Sequence, residues 1–265
     1  MIHSISKGVR SRCLLVWTLA LLSLLSGCGI LAGRASKPMR NEVFVLGTLH
    51  EEHLSDPLYD LGRLRDLLRQ LDPDLVLVEI PPDRYDEAWT QFLKEGRVSE
   101  ERVKLYPEFT EVLFPIALEG RFRIVPCSAW TQSIADRRAA LLKQWESTRP
   151  GDSQRVNDAQ AAAKRELVSQ GLVSDPLMIH SEEYDAIVAR GMQPYEQIFG
   201  DDLGSAGWKD INLGHYEHIA EALDAVRGND LRVLVMFGAW HKYRLRELLA
   251  ERTDIHLLRL PQAVR

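Results

Sequence analysis

The sequence predicts an α/β fold. A central sheet, mixed but mostly parallel, is flanked by helices, and a helical insertion covers the carboxyl ends of the strands. Three observations carry this expectation. Short apolar runs alternate with longer stretches of helical periodicity along most of the chain. Two of those runs, 43–46 and 233–237, lead into the same tetrapeptide pattern, Gly-x-x-His, at Gly47 to His50 and Gly238 to His241. A third run, 75–78, ends on Glu79. In an open α/β sheet the residues just past the carboxyl ends of parallel strands converge on one crevice. Glycine at a strand exit permits the sharp turn and close approach that would aim a side chain into it.

The first 27 residues read as a signal peptide and not as fold. Lys7, Arg10 and Arg12 form a basic leader, and 14–25 is an apolar run too short for a mature spanning helix. Leu25-Ser26-Gly27-Cys28 then matches the bacterial lipoprotein processing pattern, with Cys28 as the lipidated first residue of the mature chain. Residues 28–40 read as a tether and 41–265 as a single domain. Gly29 follows Cys28 where an acidic residue would retain an inner-membrane lipoprotein in enteric-type bacteria. The expected location is therefore the cell envelope, on the periplasmic face, at the outer membrane rather than the inner. Removing residues 1–27 takes away three basic side chains and no acidic ones, so the formal charge moves from −5 to −8. An acidic domain lacks the basic face that nucleic acid requires. Once Cys13 is removed and Cys28 acylated, Cys127 is the one cysteine left, which excludes an internal disulfide.

The elements follow in order. After the first strand, Asp56 and Pro57 read as N-cap and first helical residue, and Leu61, Leu64, Leu68 and Leu71 recur on one face. Asp72-Pro73-Asp74 stops that helix and feeds the strand ending at Glu79, and Pro81-Pro82 takes the chain out of the sheet. Residues 83–93 and 99–119 read as helices, the second starting at Ser99-Glu100-Glu101-Arg102. A strand is expected at 122–125, then a helix over 131–145. Residues 146–209 are polar, carry the breakers Pro150-Gly151 and Gly171, and contain no strand pattern; they read as the helical insertion. Periodicity returns over 210–227 through Ile219, Leu223 and Val226, then comes the strand before Gly238, a helix through Leu245, Leu248 and Leu249, and a last strand at 255–258.

His50, Glu79 and His241 are the expected reaction centre, and the expected metal ligands if the chemistry is metal-dependent. A carboxylate at the end of so apolar a strand needs a partner, because an unpaired buried charge is costly. Gly47, Gly238, His53 and His215 stand beside them as supporting residues, with Glu51 and Glu52 flanking. His50-Glu51-Glu52-His53 is not the H-E-x-x-H zinc pattern, since no histidine occupies the fourth position after His50. His215 borders an apolar helix face and could point into the crevice or outward. Cys127, at a strand exit, reads as a buried structural thiol more than as a nucleophile.

Val-x-Val-Leu-Gly-Thr-x-His, Val78-Glu79 and the second Gly-x-x-His resemble the motifs of the TraB/Tiki and ChaN/erythromycin-esterase superfamily. The likeness runs in order through most of the mature domain but is concentrated in those three short motifs. It implies a mixed sheet flanked by helices, with its histidines and strand-end acid falling on His50, Glu79 and His241. It also implies one of several chemistries: metal-dependent proteolysis, opening of a lactone by a histidine base, or haem binding without catalysis. Where such sequences carry arginine ahead of the apolar-Ala pair in the helix before the last motif, this chain has His215 ahead of Ile219-Ala220. The expected protein is thus a hydrolase acting on a small molecule or peptide and attached to the membrane through Cys28. It would use either a divalent ion (Mn, Co or Zn) or neutral His50 as general base, held in its tautomer by Glu79. The alternatives are a haem- or iron-binding lipoprotein and a scaffold with no activity.

Overall fold

A computed structural model describes residues 39–173 and 175–264. The expected signal peptide, Cys28 and nearly all of the expected tether lie outside these residues. Strand β1 (Asn41–Thr48) runs into a 3-10 turn at His50–Leu54, and α1 (Leu61–Leu71) leads to β2 (Leu75–Val78). Helix α2 (Pro82–Glu95) is followed by a π-helical turn at Glu108–Leu113, α3 (Phe114–Leu118) and β3 (Arg123–Pro126). Helix α4 (Gln132–Thr148) comes next, and α5 (Pro150–Ser169), α6 (Pro176–Ile179) and α7 (Glu182–Leu203) form the insertion expected over 146–209. After them come α8 (Trp208–Ala225), β4 (Arg232–Gly238), α9 (Lys242–Ala250), β5 (Ile255–Leu258) and α10 (Leu260–Ala263). Among the described residues no helix is long and apolar enough to cross a membrane.

The strand order is β3-β2-β4-β1-β5, and every ladder is parallel. Alternation within the strands sorts the core into two layers, as a period of two requires. Phe44, Leu46, Val76, Val78, Leu234 and Met236 face Leu64, Leu68 and Leu71 of α1 and the aromatic cluster of α2 and α3. Val43, Val45, Leu75, Leu77, Val233 and Val235 face Ile219, Leu223, Leu245 and Leu249 of α8 and α9. Both faces are covered, so the strands are apolar throughout, as in parallel sheets generally. At the amino-terminal end of the sheet, the buried Arg232 guanidinium donates to the carbonyls of Leu71 and Ala263 and to Glu42.

Several local expectations are corrected. Asp56 does not cap α1; its carboxylate accepts from the N–H groups of Leu58 and Tyr59, and Asp60 is the N-cap, accepting from Arg63 N–H. No helix starts at Ser99. Glu100 instead closes a turn by accepting from Arg102 and Val103 N–H, and helical backbone begins only at Glu108, as a π turn. The breakers Pro150-Gly151 do fall at a break, since α4 ends at Thr148, and they also start α5, because proline's missing N–H is harmless in the first turn.

Candidate functional site

Strand β4 lies between β1 and β2, with Thr48 paired to Gly238 and Val78 to Met236. The three expected residues therefore leave the same end of three neighbouring strands. The two motif glycines explain each other. A Cβ on Gly47 would stand 2.9 Å from the Ala239 Cα, and one on Gly238 would stand 2.5 Å from His50 Nε2. Each Gly-x-x-H turn thus leaves room for the other, which a parallel pair with turns at matched register demands.

Glu79 is 4 % exposed. Its Oε2 accepts from Gly238 N–H at 2.8 Å, and its Oε1 lies 3.5 Å from His241 Nε2. The His241 Nδ1 is 2.9 Å from Asn212 Oδ1, while the Asn212 amide donates to the Trp208 carbonyl at 2.7 Å. That second bond orients the amide, so His241 Nδ1 carries the proton and Nε2 presents a lone pair towards Glu79. Trp208 stacks on the His241 ring at 4.5 Å. Burial lowers the pKa of His241 against the pull of Glu79, so the ring is neutral near pH 7.

His215 is fully buried, not on an exposed face. One carboxylate oxygen of Glu79 and one ring nitrogen each of His215 and His241 lie within 4.8 Å of one another, and this buried group could hold a metal ion. Burial, then the neighbouring His241 and His218, holds the His215 pKa well below its ordinary value. Its Nδ1 accepts from Ala129 N–H at 2.8 Å, so the neutral ring has its proton on Nε2, a buried atom with no hydrogen-bond partner. The cluster therefore holds two acceptors turned towards each other, Glu79 Oε1 and His241 Nε2, with an unused donor on the His215 ring. For a metal, Glu79 and His241 are ready as ligands. His215 would have to yield its Nε2 proton or release Ala129.

His50 is not the third member of that group. Its Nδ1 lies 2.6 Å from Glu108 Oε1, which also accepts from Thr48 Oγ at 3.1 Å. Glu108 is fully buried, and its Oε2 has no partner. Burial opposes charge on His50, but the hydrogen bond and charge of Glu108, with Glu79 and Glu52 behind them, outweigh it and raise the pKa to about 9. The residue that orients His50 is therefore Glu108 and not Glu79, and the ring is an imidazolium rather than a neutral base. His50 also adopts a left-handed backbone, φ 53°, with Tyr106 edge-on to its ring at 4.9 Å. Such strain in a non-glycine residue persists where surroundings over-determine it.

The remaining expected residues divide cleanly. His53 is buried, accepting from Leu49 N–H at one ring nitrogen and pairing with the Tyr59 carbonyl at the other, and so holds the turn after β1. Glu51 and Glu52 are exposed, with Glu52 on the cavity wall. Cys127 is buried and burial pushes its thiol up to about 12, which leaves it without thiolate character. A cavity of about 720 Å³ opens over His50 and His241, walled by Leu167, Met192, Trp208 and Trp240 from the insertion, α8 and the second motif turn. The insertion does cover the strand ends.

Glu108 and Asn212 were not expected from the sequence. Asn212 carried a signal: Trp208, Asn212, His215, Ile219 and Leu223 recur on one helical face, and two polar side chains on an apolar stripe mark buried partners. Glu108 carried none, since it falls in the stretch read as an ordinary helix, 99–119, where nothing sets its carboxylate apart from the other acids. Comparisons with protein-family models, with curated proteins and with solved structures find no match, so the reading of this site rests on its own residues.

Proposed function

We propose that this protein is a hydrolase whose nucleophilic water is held among Glu79, His215 and His241. The observation that carries the reading is the pattern of protons in the buried cluster, with two acceptors facing each other and one unpaired donor beside them. A water molecule completes this set by accepting from His215 Nε2–H and donating to His241 Nε2 and Glu79 Oε1. In that position its proton passes to His241 or Glu79 as its oxygen attacks a carbonyl carbon. The His50 imidazolium, its Nδ1 held by Glu108, presents Nε2–H beside Gly238, where it stabilises the developing oxyanion or protonates the leaving group.

A metal-dependent version is the second reading, favoured by the donor set of one carboxylate and two neutral imidazoles. A divalent ion there would lower the pKa of a bound water. In both versions Glu79 and His241 are required, so the resemblance to the TraB/Tiki and ChaN/erythromycin-esterase superfamily is consistent with this proposal. The chain is also proposed to be a lipoprotein of the cell envelope, anchored through Cys28; Cys28→Ser should leave an unprocessed precursor, and unchanged processing would refute this.

The test is hydrolysis of a panel of p-nitrophenyl esters, lactones and peptide amides by the full chain. Glu79→Gln and His241→Ala should each cut turnover by about 10²-fold or more. Undiminished turnover in Glu79→Gln would sink the proposal. A Soret band in the purified protein, with no turnover, would move the function to haem binding.

A further inference from the structure

We infer that the cavity recognises an amphipathic monoanion, an apolar chain or ring ending in a carboxylate, and that Arg138 is the carboxylate's partner. The inference rests on the hydrolase reading only for why a ligand enters this cavity; the recognition itself stands on other residues. Arg138 projects from α4 into the cavity wall that also contains His241. Its Nε donates to the Tyr195 hydroxyl at 2.9 Å, and its guanidinium lies 5.8 Å from the Trp130 ring centroid and 5.6 Å from that of Tyr195. The fork is thus held in place through Nε and two aromatic faces, and among the described residues neither Nη group is engaged. Among the described residues no carboxylate approaches it within 4.0 Å, whereas Arg149, from the turn after the same helix, is paired with Asp152 and Asp202.

Arg138 is half-buried on this wall, and a charge taken partly out of water gains from an acceptor that the described residues do not supply. Two parallel N–H donors match the two oxygens of a carboxylate. The rest of the lining agrees. Lys164 of α5, on the same wall, also has no acid partner among the described residues and rests over Trp240 at 5.9 Å. The acids on the wall, Glu52 and Asp56, come from the turn after β1, and Asp56 already accepts two backbone N–H groups. Leu167, Val173, Met192, Trp208 and Trp240 supply the apolar surface for the body of the ligand. A carboxylate at Arg138 would leave the ligand beside His241, with the reacting bond near the charged end.

Calorimetric titration of the full chain, in non-ionic detergent with EDTA present, tests this with three probes of one body. These are 3-phenylpropionate, 3-phenylpropanol and 3-phenylpropylamine. The expected result is that the carboxylate binds at least tenfold more tightly than the alcohol and the amine. Arg138→Met should abolish that preference, Arg138→Lys should keep part of it, and Arg137→Met, at the exposed neighbouring position, should leave it intact. Equal affinities in the unaltered chain overturn the inference, as does the absence of binding by any probe. A preference that survives Arg138→Met but disappears in Lys164→Met also overturns it, and so does one present only when EDTA is omitted, which would assign the anion to a metal. Glu79→Gln should keep the carboxylate preference while losing turnover. Failure of anion recognition and failure of the hydrolase reading are thereby read in different measurements.

Discussion

Glu108→Gln isolates the strongest of the charges that set the state of His50. The glutamine keeps the length of the side chain and an oxygen that can accept from Thr48 and His50, but removes the negative charge. Burial then acts on the imidazole against only the weaker influence of Glu79 and Glu52. The His50 pKa should fall from about 9 to about its ordinary 6.5 or below. The consequence for stability has a definite sign. A group whose folded pKa is raised contributes stability that is complete below its unfolded pKa and is lost as pH rises through the folded one. The unaltered protein should therefore lose stability between about pH 6.5 and 9 through this group. The ceiling is about 1.4 kcal/mol per pH unit. The His50 side chain is 34 % exposed, and discounting for solvent screening leaves roughly 1–2 kcal/mol over the whole window. The assay is urea unfolding of both chains at half-unit pH steps, with the histidine nitrogens followed by NMR. Subtracting the two profiles removes the contributions of Lys242 and Asp185, which Glu108 does not touch. Parallel pH profiles, or a His50 pKa unchanged by the substitution, would refute the account of an imidazolium held by Glu108.

Four further outcomes follow from the structure. Gly238→Ala places a methyl group against the end of the His50 side chain, which can swing away, so turnover should fall by about 10²-fold while stability falls by about 1–3 kcal/mol. Gly47→Ala meets the Ala239 backbone instead, so thermal unfolding should show the larger loss there; the reverse order would argue against matched turns. Trp145→Ala removes a buried ring stacked on Phe199 at 4.5 Å, joining α4 to α7, and should cost about 3–5 kcal/mol by urea unfolding. Elemental analysis of the purified chain should find any bound divalent ion lost in His241→Ala and Glu79→Gln but retained in His50→Ala, since His50 stands outside the ligand group.

The parts of the fold legible in sequence were those set by local physics. Leu75–Val78 was recognisable as a strand because four apolar residues lie between a helix stop and a pair of prolines, and Ile255–Leu258 because a short β-rich run follows a polar turn. Thr131 was recognisable as the start of a helix because a threonine at the N-cap accepts from a backbone N–H three residues on, here that of Ile134. The misreadings share a cause. Asp56-Pro57 and Ser99-Glu100 have the composition of helix starts, yet in both places the acid satisfies N–H groups of a turn, an arrangement that competes with the helix for the same donors. What followed could decide between them only through tertiary packing.

The site divides along the same line. Strand exits are local features, and they located His50, Glu79 and His241 at one end of the sheet. Which of these act together is decided by partners far away in sequence. Glu108 takes the His50 ring 58 residues along the chain, Asn212 orients the His241 ring from 29 residues before it, and Ala129 takes one nitrogen of His215 across 86. Each imidazole has two nitrogens, and one remote hydrogen bond settles what the other can do. His50, bonded to a carboxylate, becomes a donor. His241, bonded to an amide oxygen, becomes an acceptor. His215, bonded to a backbone N–H, keeps its proton on the buried side. Three residues of one type thereby take up three different chemical roles within one site, and the roles follow from the second nitrogen of each ring rather than from the motif that brought it there.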